Sequence, residues 1–228
     1  MEYFANFSKT RQGDLLSTGV IRVIKLFGGG GTRWVRPYWT LKELGVPFEP
    51  VKVSILKGET KAAAFLAINP FGKLPALQDG DFQLFESAAI CNYLADKYSE
   101  KSLAPKPGTQ NRALYDQWVS FVISDLEQPL WRITRHKYVY PEAQRSLADC
   151  ELAKDDFRTM AAVLEKQING EFLVADRFSV ADIVMTYTLK WATLPFLMGV
   201  SLLEGFPKLE AYMLKHTSRP AYPAELYT

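Results

Sequence analysis

The stretch 68–94, INPFGKLPALQDGDFQLFESAAICNYL, constrains this chain more tightly than any other part of it. Asn69-Pro70 followed by Gly72 breaks the helical pattern of residues 62–68. Leu74-Pro75 then heads a short apolar run, Ala76-Leu77. A proline there has no N–H for a ladder, which suits a strand start or an edge. A cis bond at this step would turn the N–H and C=O of Leu74 outward, free to pair with a ligand's backbone. A trans bond is the ordinary state of X–Pro, and the spacing leaves both open. Asp79-Gly80 is a hairpin signal between strands at 76–78 and 82–85. Glu86-Ser87 opens an apolar helix carrying Ile90, Leu94 and Tyr98 at four-residue steps. Free N–H groups and the dipole at such a helix start favour a bound carboxylate. Ser87 supplies a hydroxyl and Glu86 a counter-charge for an ammonium. Taken alone a Glu-Ser pair is a helix cap; among these neighbours it describes a place to hold a small anionic peptide.

The rest of the chain divides in two. Residues 20–26 read as a buried strand, 28–31 as a four-glycine loop, 33–44 as a helix closed by Gly45, and 48–53 as the next strand. Pro37 falls near the first turn of its helix, where it is tolerated. Residues 99–109 are rich in Pro, Lys, Ser and Gly and read as a linker. Beyond them strand signals vanish, and 110–140, 142–168, 180–193 and 207–217 carry helical periodicity. Pro129 is expected to kink the first of these helices. The expected organisation is an extension at 1–19, an α/β domain at 20–98, the linker, and an all-helical domain at 110–228. Ser179 with Asp182 forms a capping-box variant, with Phe178 and Ile183 as its hydrophobic staple, so Asp182 is assigned to folding.

Composition excludes several classes of function. The 228 residues carry 27 basic against 25 acidic side chains, a formal charge of +2, and so no global field to recruit nucleic acid or a membrane surface. No apolar run is long enough to span a bilayer, and the first nineteen residues lack the apolar core of a signal peptide. Two cysteines, Cys91 and Cys150, without a CxxC pair, fit a reduced, cytoplasmic chain. Cys91 reads as a buried, inert thiol. No cluster has metal-ligand spacing.

The segment 68–94 resembles the glutathione-binding half of a glutathione transferase, with NPxGxxPAL, an acidic turn and ESxAIxxYL in order. The resemblance is to the phi/theta-like branch and runs from about residue 21 to the end of the chain. It implies an α/β thioredoxin-like N-terminal domain followed by an all-α helical C-terminal domain, glutathione as co-substrate, no metal, and a homodimer. It also implies roles. Pro75 is cis, Leu74 pairs with the cysteinyl backbone of glutathione, and Glu86 and Ser87 hold the γ-glutamyl end. Upstream, KGETKAAAFLAINP is similar to GEHKxPEFLxxNP, so Lys61 matches the lysine at the glycyl carboxylate. Thr60 stands where that branch has His, and Lys73 takes the place of a polar ligand before the Leu-Pro step.

Glutathione chemistry needs a thiolate. A free thiol has a pKa of about 8.5, and lowering it by about two units takes roughly 2.7 kcal/mol. A hydroxyl and a helix N-terminus aimed at the sulfur supply that. The family places the hydroxyl between the first strand and first helix, where this chain has Gly31. The adjacent Thr32 is the only hydroxyl in the loop and is the expected thiolate stabiliser; capping of the helix is its other reading. Arg33 and Arg36 oppose the dipole of the helix they open, which makes sense if an anion sits in front of them. Arg33 is therefore expected to share the thiolate work.

For the hydrophobic electrophile, Tyr115 and Trp118 on one face of the first long helix are candidates, with interhelical packing as the alternative; Arg135 and His136 read as surface. The leading expectation is an enzyme that conjugates glutathione to hydrophobic electrophiles or reduces organic hydroperoxides. The rival, kept open by Gly31, is a non-catalytic glutathione-binding scaffold or interaction module. Thiol–disulfide exchange is weakened by the missing loop cysteine.

Overall fold

The computed structural model describes residues 23–227, apart from the side chain of Leu197. The expected extension at 1–19 and the first residues of the expected strand at 20–26 lie outside the described residues. Four strands and three helices come first: β1 (Ile24–Gly28), α1 (Val35–Leu44), β2 (Phe48–Lys52), the one-turn α2 (Ala63–Leu66), β3 (Ala76–Asp79), β4 (Phe82–Phe85) and α3 (Ser87–Lys97). From there on only helices follow: α4 (Gln110–Phe121), α5 (Glu127–Thr134), α6 (Leu147–Gln167), α7 (Val180–Ala192), the short α8 (Pro195–Met198) and α9 (Pro207–Thr217). This is an α/β thioredoxin-like unit followed by an all-helical one. The sequence pattern missed α8 and a final 3-10 turn, Ala224–Tyr227. Among the described residues no helix is long and apolar enough to cross a membrane.

The sheet order is β2-β1-β3-β4, with β1 and β2 parallel and the other pairs antiparallel. Its register decides where the site lies. Phe27 pairs with Ala76 and Ala76 with Phe85. The next residues along those strands, Gly28, Pro75 and Glu86, therefore line up at one end of the sheet. Both α1 and α3 begin from that end. The Leu74-Pro75 bond is cis.

Helix α1 closes as expected at Gly45, whose N–H reaches Lys42 O while the Val46 N–H reaches Leu41 O, both at 3.2 Å. Its regular part starts at Val35, two residues later than expected, because 32–34 turn more tightly. Helix α7 is buried along almost its whole length and packs on α1, so that one continuous core joins the sheet's helices to the helical half.

The kink expected at Pro129 is corrected. The helix 110–139 changes register earlier, in a π-turn at Val122–Leu126, and again at Arg135–Val139. Pro129 has no N–H for the carbonyl four residues back, at Asp125, and would crowd it. That carbonyl lies inside the wider turn, so α5 starts afresh at Glu127 and carries Pro129 in its first turn.

Candidate active site at the sheet end

Three side chains pin three successive loop carbonyls. The Thr32 hydroxyl donates to Gly29 O at 2.9 Å, the Trp34 indole N–H to Gly30 O at 2.7 Å, and the Tyr187 hydroxyl to Gly31 O at 2.9 Å. Each trans peptide points its N–H opposite its C=O. The N–H groups of Gly30, Gly31 and Thr32 thus face away from these anchors, and none pairs with another described residue. Gly30 and Gly31 are exposed. Successive free N–H groups ahead of a helix make an anion-binding concavity. Gly28 has to be glycine here: a Cβ on it would lie 2.4 Å from Trp34.

This geometry corrects the role expected of Thr32. A hydroxyl has one hydrogen, and Thr32 spends it on Gly29. It shapes the loop and has no hydrogen left for a sulfur.

The anion expected in front of the two arginines is partly a protein group. Glu127, at the start of α5, accepts from Arg33 Nε at 2.6 Å and from a terminal nitrogen of Arg36. Arg36 also reaches Ser87 Oγ at 3.2 Å and Thr188 Oγ1 at 3.0 Å, and lies over the Tyr187 ring at 4.7 Å. Arg36 and Glu127 are buried, whereas the Arg33 side chain is 28% exposed. Burial lowers both guanidinium pKa values, Arg36 to about 10, so both stay charged near neutrality. Two cations against one carboxylate leave the cluster with an excess positive charge.

The expected glutathione ligands lie around the same end. Glu86 caps α3 with φ 69° and ψ 114°, a strained backbone for a non-glycine residue, and its side chain is exposed. Ser87 starts the helix; because its oxygen accepts from Arg36, its own hydrogen is free to donate. The backbone of Leu74 makes no hydrogen bond among the described residues. Lys61 is exposed, and its amine passes so close to Gly72 that a Cβ there would be 2.9 Å from it. Lys73 is exposed, its carbonyl held by Asn69 Nδ2 at 2.7 Å. Thr60 is buried, so its side chain is turned away from the surface on which Lys61 lies.

The electrophile candidates are corrected. Tyr115 is fully buried, with its hydroxyl on Asn92 Oδ1 at 2.6 Å, and is packing between α4 and α3. Trp118 lines a cleft of about 160 Å³ with 167–170, Phe172, Leu173 and Tyr212, none of which belongs to the sheet end. The aromatic walls beside the loop are Trp131 of α5 and Trp191 of α7, each with its ring centroid 5.0 Å from the Arg33 guanidinium carbon. The sequence reading missed these two, along with Glu127, Tyr187 and Thr188. The signal available for Glu127 was a carboxylate flanked by Leu126 and Leu130 in an apolar helical stripe; for Tyr187 and Thr188 it was polar groups in a helix apolar on every side.

Cys91 is no nucleophile: burial pushes its thiol up to about 12. No group of three or more potential metal ligands occurs among the described residues. Asp182 is structural as expected, accepting from Ser179 N and Oγ, Leu173 N and the Tyr212 hydroxyl.

Comparison with known proteins agrees with this arrangement. The glutathione S-transferase N-terminal domain matches residues 22–96 and the corresponding C-terminal domain residues 131–214. Glutathione S-transferase F9 of Arabidopsis thaliana is 33% identical over 199 residues, covering 85% of this chain and 86% of that one. Glutathione S-transferase theta-1 of Homo sapiens is 33% identical over 182 residues, covering 77% and 74%. Among solved structures, a glutathione transferase of Phanerochaete chrysosporium with oxidized glutathione superposes with a TM-score of 0.78 at 26% identity, covering 90% of this chain and 94% of that one. The chain belongs to the glutathione S-transferase family and is a transferase that uses glutathione.

Proposed function

We propose that this enzyme conjugates the thiolate of glutathione to hydrophobic electrophiles, with reduction of organic hydroperoxides by the same thiolate as a lesser activity. The observation that carries the reading is the register that sets the Leu74-Pro75 step, the Glu86-Ser87 helix start and the glycine loop at one end of the sheet. In this reading the Leu74 backbone pairs with the cysteinyl unit against Pro75. Ser87 and the free N–H groups of α3 take the γ-glutamyl carboxylate, and Glu86 takes the ammonium. Lys61 takes the glycyl carboxylate, with Lys73 beside it. The sulfur then lies before the loop N–H groups and the cationic cluster, which hold it as thiolate without covalent catalysis. Arg33 contributes charge to that field, and Thr32 contributes by fixing the loop. The working unit is a cytoplasmic homodimer, with the domain boundaries at 98 and 110.

Glutathione titration by calorimetry, followed by assays with a chlorinated dinitrobenzene and cumene hydroperoxide, tests the reading. Binding is expected, with turnover of at least the first acceptor. Ser87→Ala is expected to weaken binding by roughly 1.5–3 kcal/mol, the worth of a hydrogen bond to a charged group. The absence of a hydroxyl at Gly31, together with the committed hydrogen of Thr32, favours a second reading: a glutathione-binding scaffold without catalysis. Binding without turnover of any acceptor selects it.

A further inference from the structure

Away from the sheet end, the π-turn Arg135–Val139 meets the start of α6 and leaves a cleft of about 240 Å³. His136, Lys137, Arg145, Ser146, Leu147 and Cys150 line it: two cations, an imidazole, a hydroxyl, a thiol and one aliphatic side chain, with no carboxylate. The frame of the cleft is fixed. His136 Nδ1 accepts the Ser146 N–H at 3.1 Å, so the ring's hydrogen is on Nε2, which faces Asp149 Oδ2 at 2.7 Å. Arg132 Nε also donates to Asp149, at 2.8 Å, so that carboxylate is satisfied from outside the cleft. Arg145 Nε donates to Tyr140 O at 2.9 Å, which anchors its side chain.

What remains is donor capacity. Neither the Lys137 amine nor the terminal nitrogens of Arg145 have a partner among the described residues. Glu151, a carboxylate on which Lys137 acts, is paired with Lys154 at 2.8 Å and is 69% exposed. Ser146 Oγ accepts from Asp149 N at 3.1 Å and keeps its own hydrogen to donate. The N–H groups of Leu147 and Ala148, at the start of the 21-residue α6, are also unpaired among the described residues. Leu147 itself is 80% exposed and gives the cleft an apolar lip.

Two unpaired cations and a free hydroxyl hydrogen in one cleft call for an anion with more than one negative charge and several acceptor oxygens. From the unpaired cations and anchored frame of this cleft, we infer that it binds small phosphomonoesters, at a site that shares no residue with the sheet end. A phosphomonoester carries a charge of roughly −1.5 to −2 near neutrality and three strong acceptor oxygens. The Arg145 fork matches two of those oxygens and Lys137 supplies a point charge. The dipole of α6 favours the same anion. A monocarboxylate would leave one cation uncompensated. The volume lies below the roughly 300–1,000 Å³ of most ligand pockets, which limits the occupant to a small molecule. Leu147 and the imidazole edge suit an organic substituent on the phosphate. The site stands independently of the transferase reading.

The test is calorimetry at low ionic strength and slightly alkaline pH on the full-length wild type, Lys137→Gln and Arg145→Gln. The probes are phenyl phosphate, benzoate, phenol and a short phosphoserine peptide, and thermal melts check that both variants fold. Saturable binding of phenyl phosphate at a single site per chain is expected, with benzoate weaker by about tenfold or more and phenol without measurable binding. Either variant is expected to weaken phenyl phosphate by about tenfold or more, the worth of one hydrogen bond between charged groups. In nitrogen-15 spectra the Leu147 and Ala148 amide signals are to move along the same saturation curve. Absence of saturable binding to the wild type overturns the inference. Equal affinity in the wild type and both variants overturns it too, because the phosphate then sits elsewhere, such as at the cations of the sheet end. Phenol binding as tightly as phenyl phosphate overturns the anion class, and a peptide binding tighter than phenyl phosphate overturns the small-molecule assignment.

Discussion

Thr32 shows how a residue is legible in a sequence while its bond is not. As the only hydroxyl in a glycine loop ahead of a helix, it invites assignment to the substrate. Its choice between a ligand and a carbonyl three residues back depends on the path of the loop, which the close contact between Gly28 and Trp34 sets. Because the hydroxyl holds Gly29 O, Thr32→Ser is expected to retain activity. Thr32→Ala is expected to lose roughly 1 kcal/mol of ordering, about fivefold in kcat/KM, with the pKa of the bound thiol unchanged. Titrating thiolate absorbance in the Thr32→Ala complex checks this, and a rise of a full unit would mean that the hydroxyl acts on the sulfur. The placement of Glu86 and Ser87 at a helix start was legible for the opposite reason. Their geometry is set by the hairpin and helix that immediately surround them, within a few residues of chain.

Elements defined by local chemistry came through well. The hairpin at 76–85, the start of α3, the Gly45 closure of α1 and the Ser179–Asp182 box all follow from residues within one turn of each other. The π-turn at 122–126 did not, because nothing in its composition distinguishes a five-residue turn from the α-helix on either side; Pro129 signals a break but not its place. Asp182 carries the strongest element-scale expectation. Fully buried, it takes four hydrogen bonds that tie the start of α7 to the 173 loop and to α9. Asp182→Ala strands Ser179 N–H, Leu173 N–H and the Tyr212 hydroxyl, and is expected to cost about 3–5 kcal/mol. At about 2–4 °C per kcal/mol for a chain of this size, the melting temperature should fall by roughly 10 °C. A fall of only a degree or two in calorimetry would show that water replaces these bonds readily. Glutathione affinity per folded molecule should not change, since the sheet end lies outside this network.

At the scale of the whole molecule, the site is a joint between the two halves. Arg33 and Glu127 are 94 positions apart, Arg36 and Ser87 51, Arg36 and Thr188 152. No spacing rule connects residues so distant, which is why the local geometry of Leu74-Pro75 and Glu86-Ser87 was legible in the chain and the joint around Glu127 was not. The same joint has an energetic consequence. Breaking a buried ion pair by removing one partner typically costs about 3–5 kcal/mol, because the remaining charge is left unpaired, and here the carboxylate of Glu127 faces two guanidiniums. With the continuous core between α1 and α7, this makes independent unfolding of either half unfavourable. A single thermal transition is therefore expected for the wild type, coincident in tryptophan fluorescence and far-ultraviolet circular dichroism. In the proposed binding mode glutathione contacts chiefly the first half, yet at a hundredfold excess over its Kd it should stabilise the entire transition by about 2.7 kcal/mol. Glu127→Ala should lower the transition by the cost above and uncouple the halves, so that glutathione protects the sheet and α1–α3 against hydrogen exchange while α4–α9 exchange as in the free variant. Two separate transitions in the wild type, with glutathione moving only one, would show that the Arg–Glu joint does not bind the halves into one folding unit.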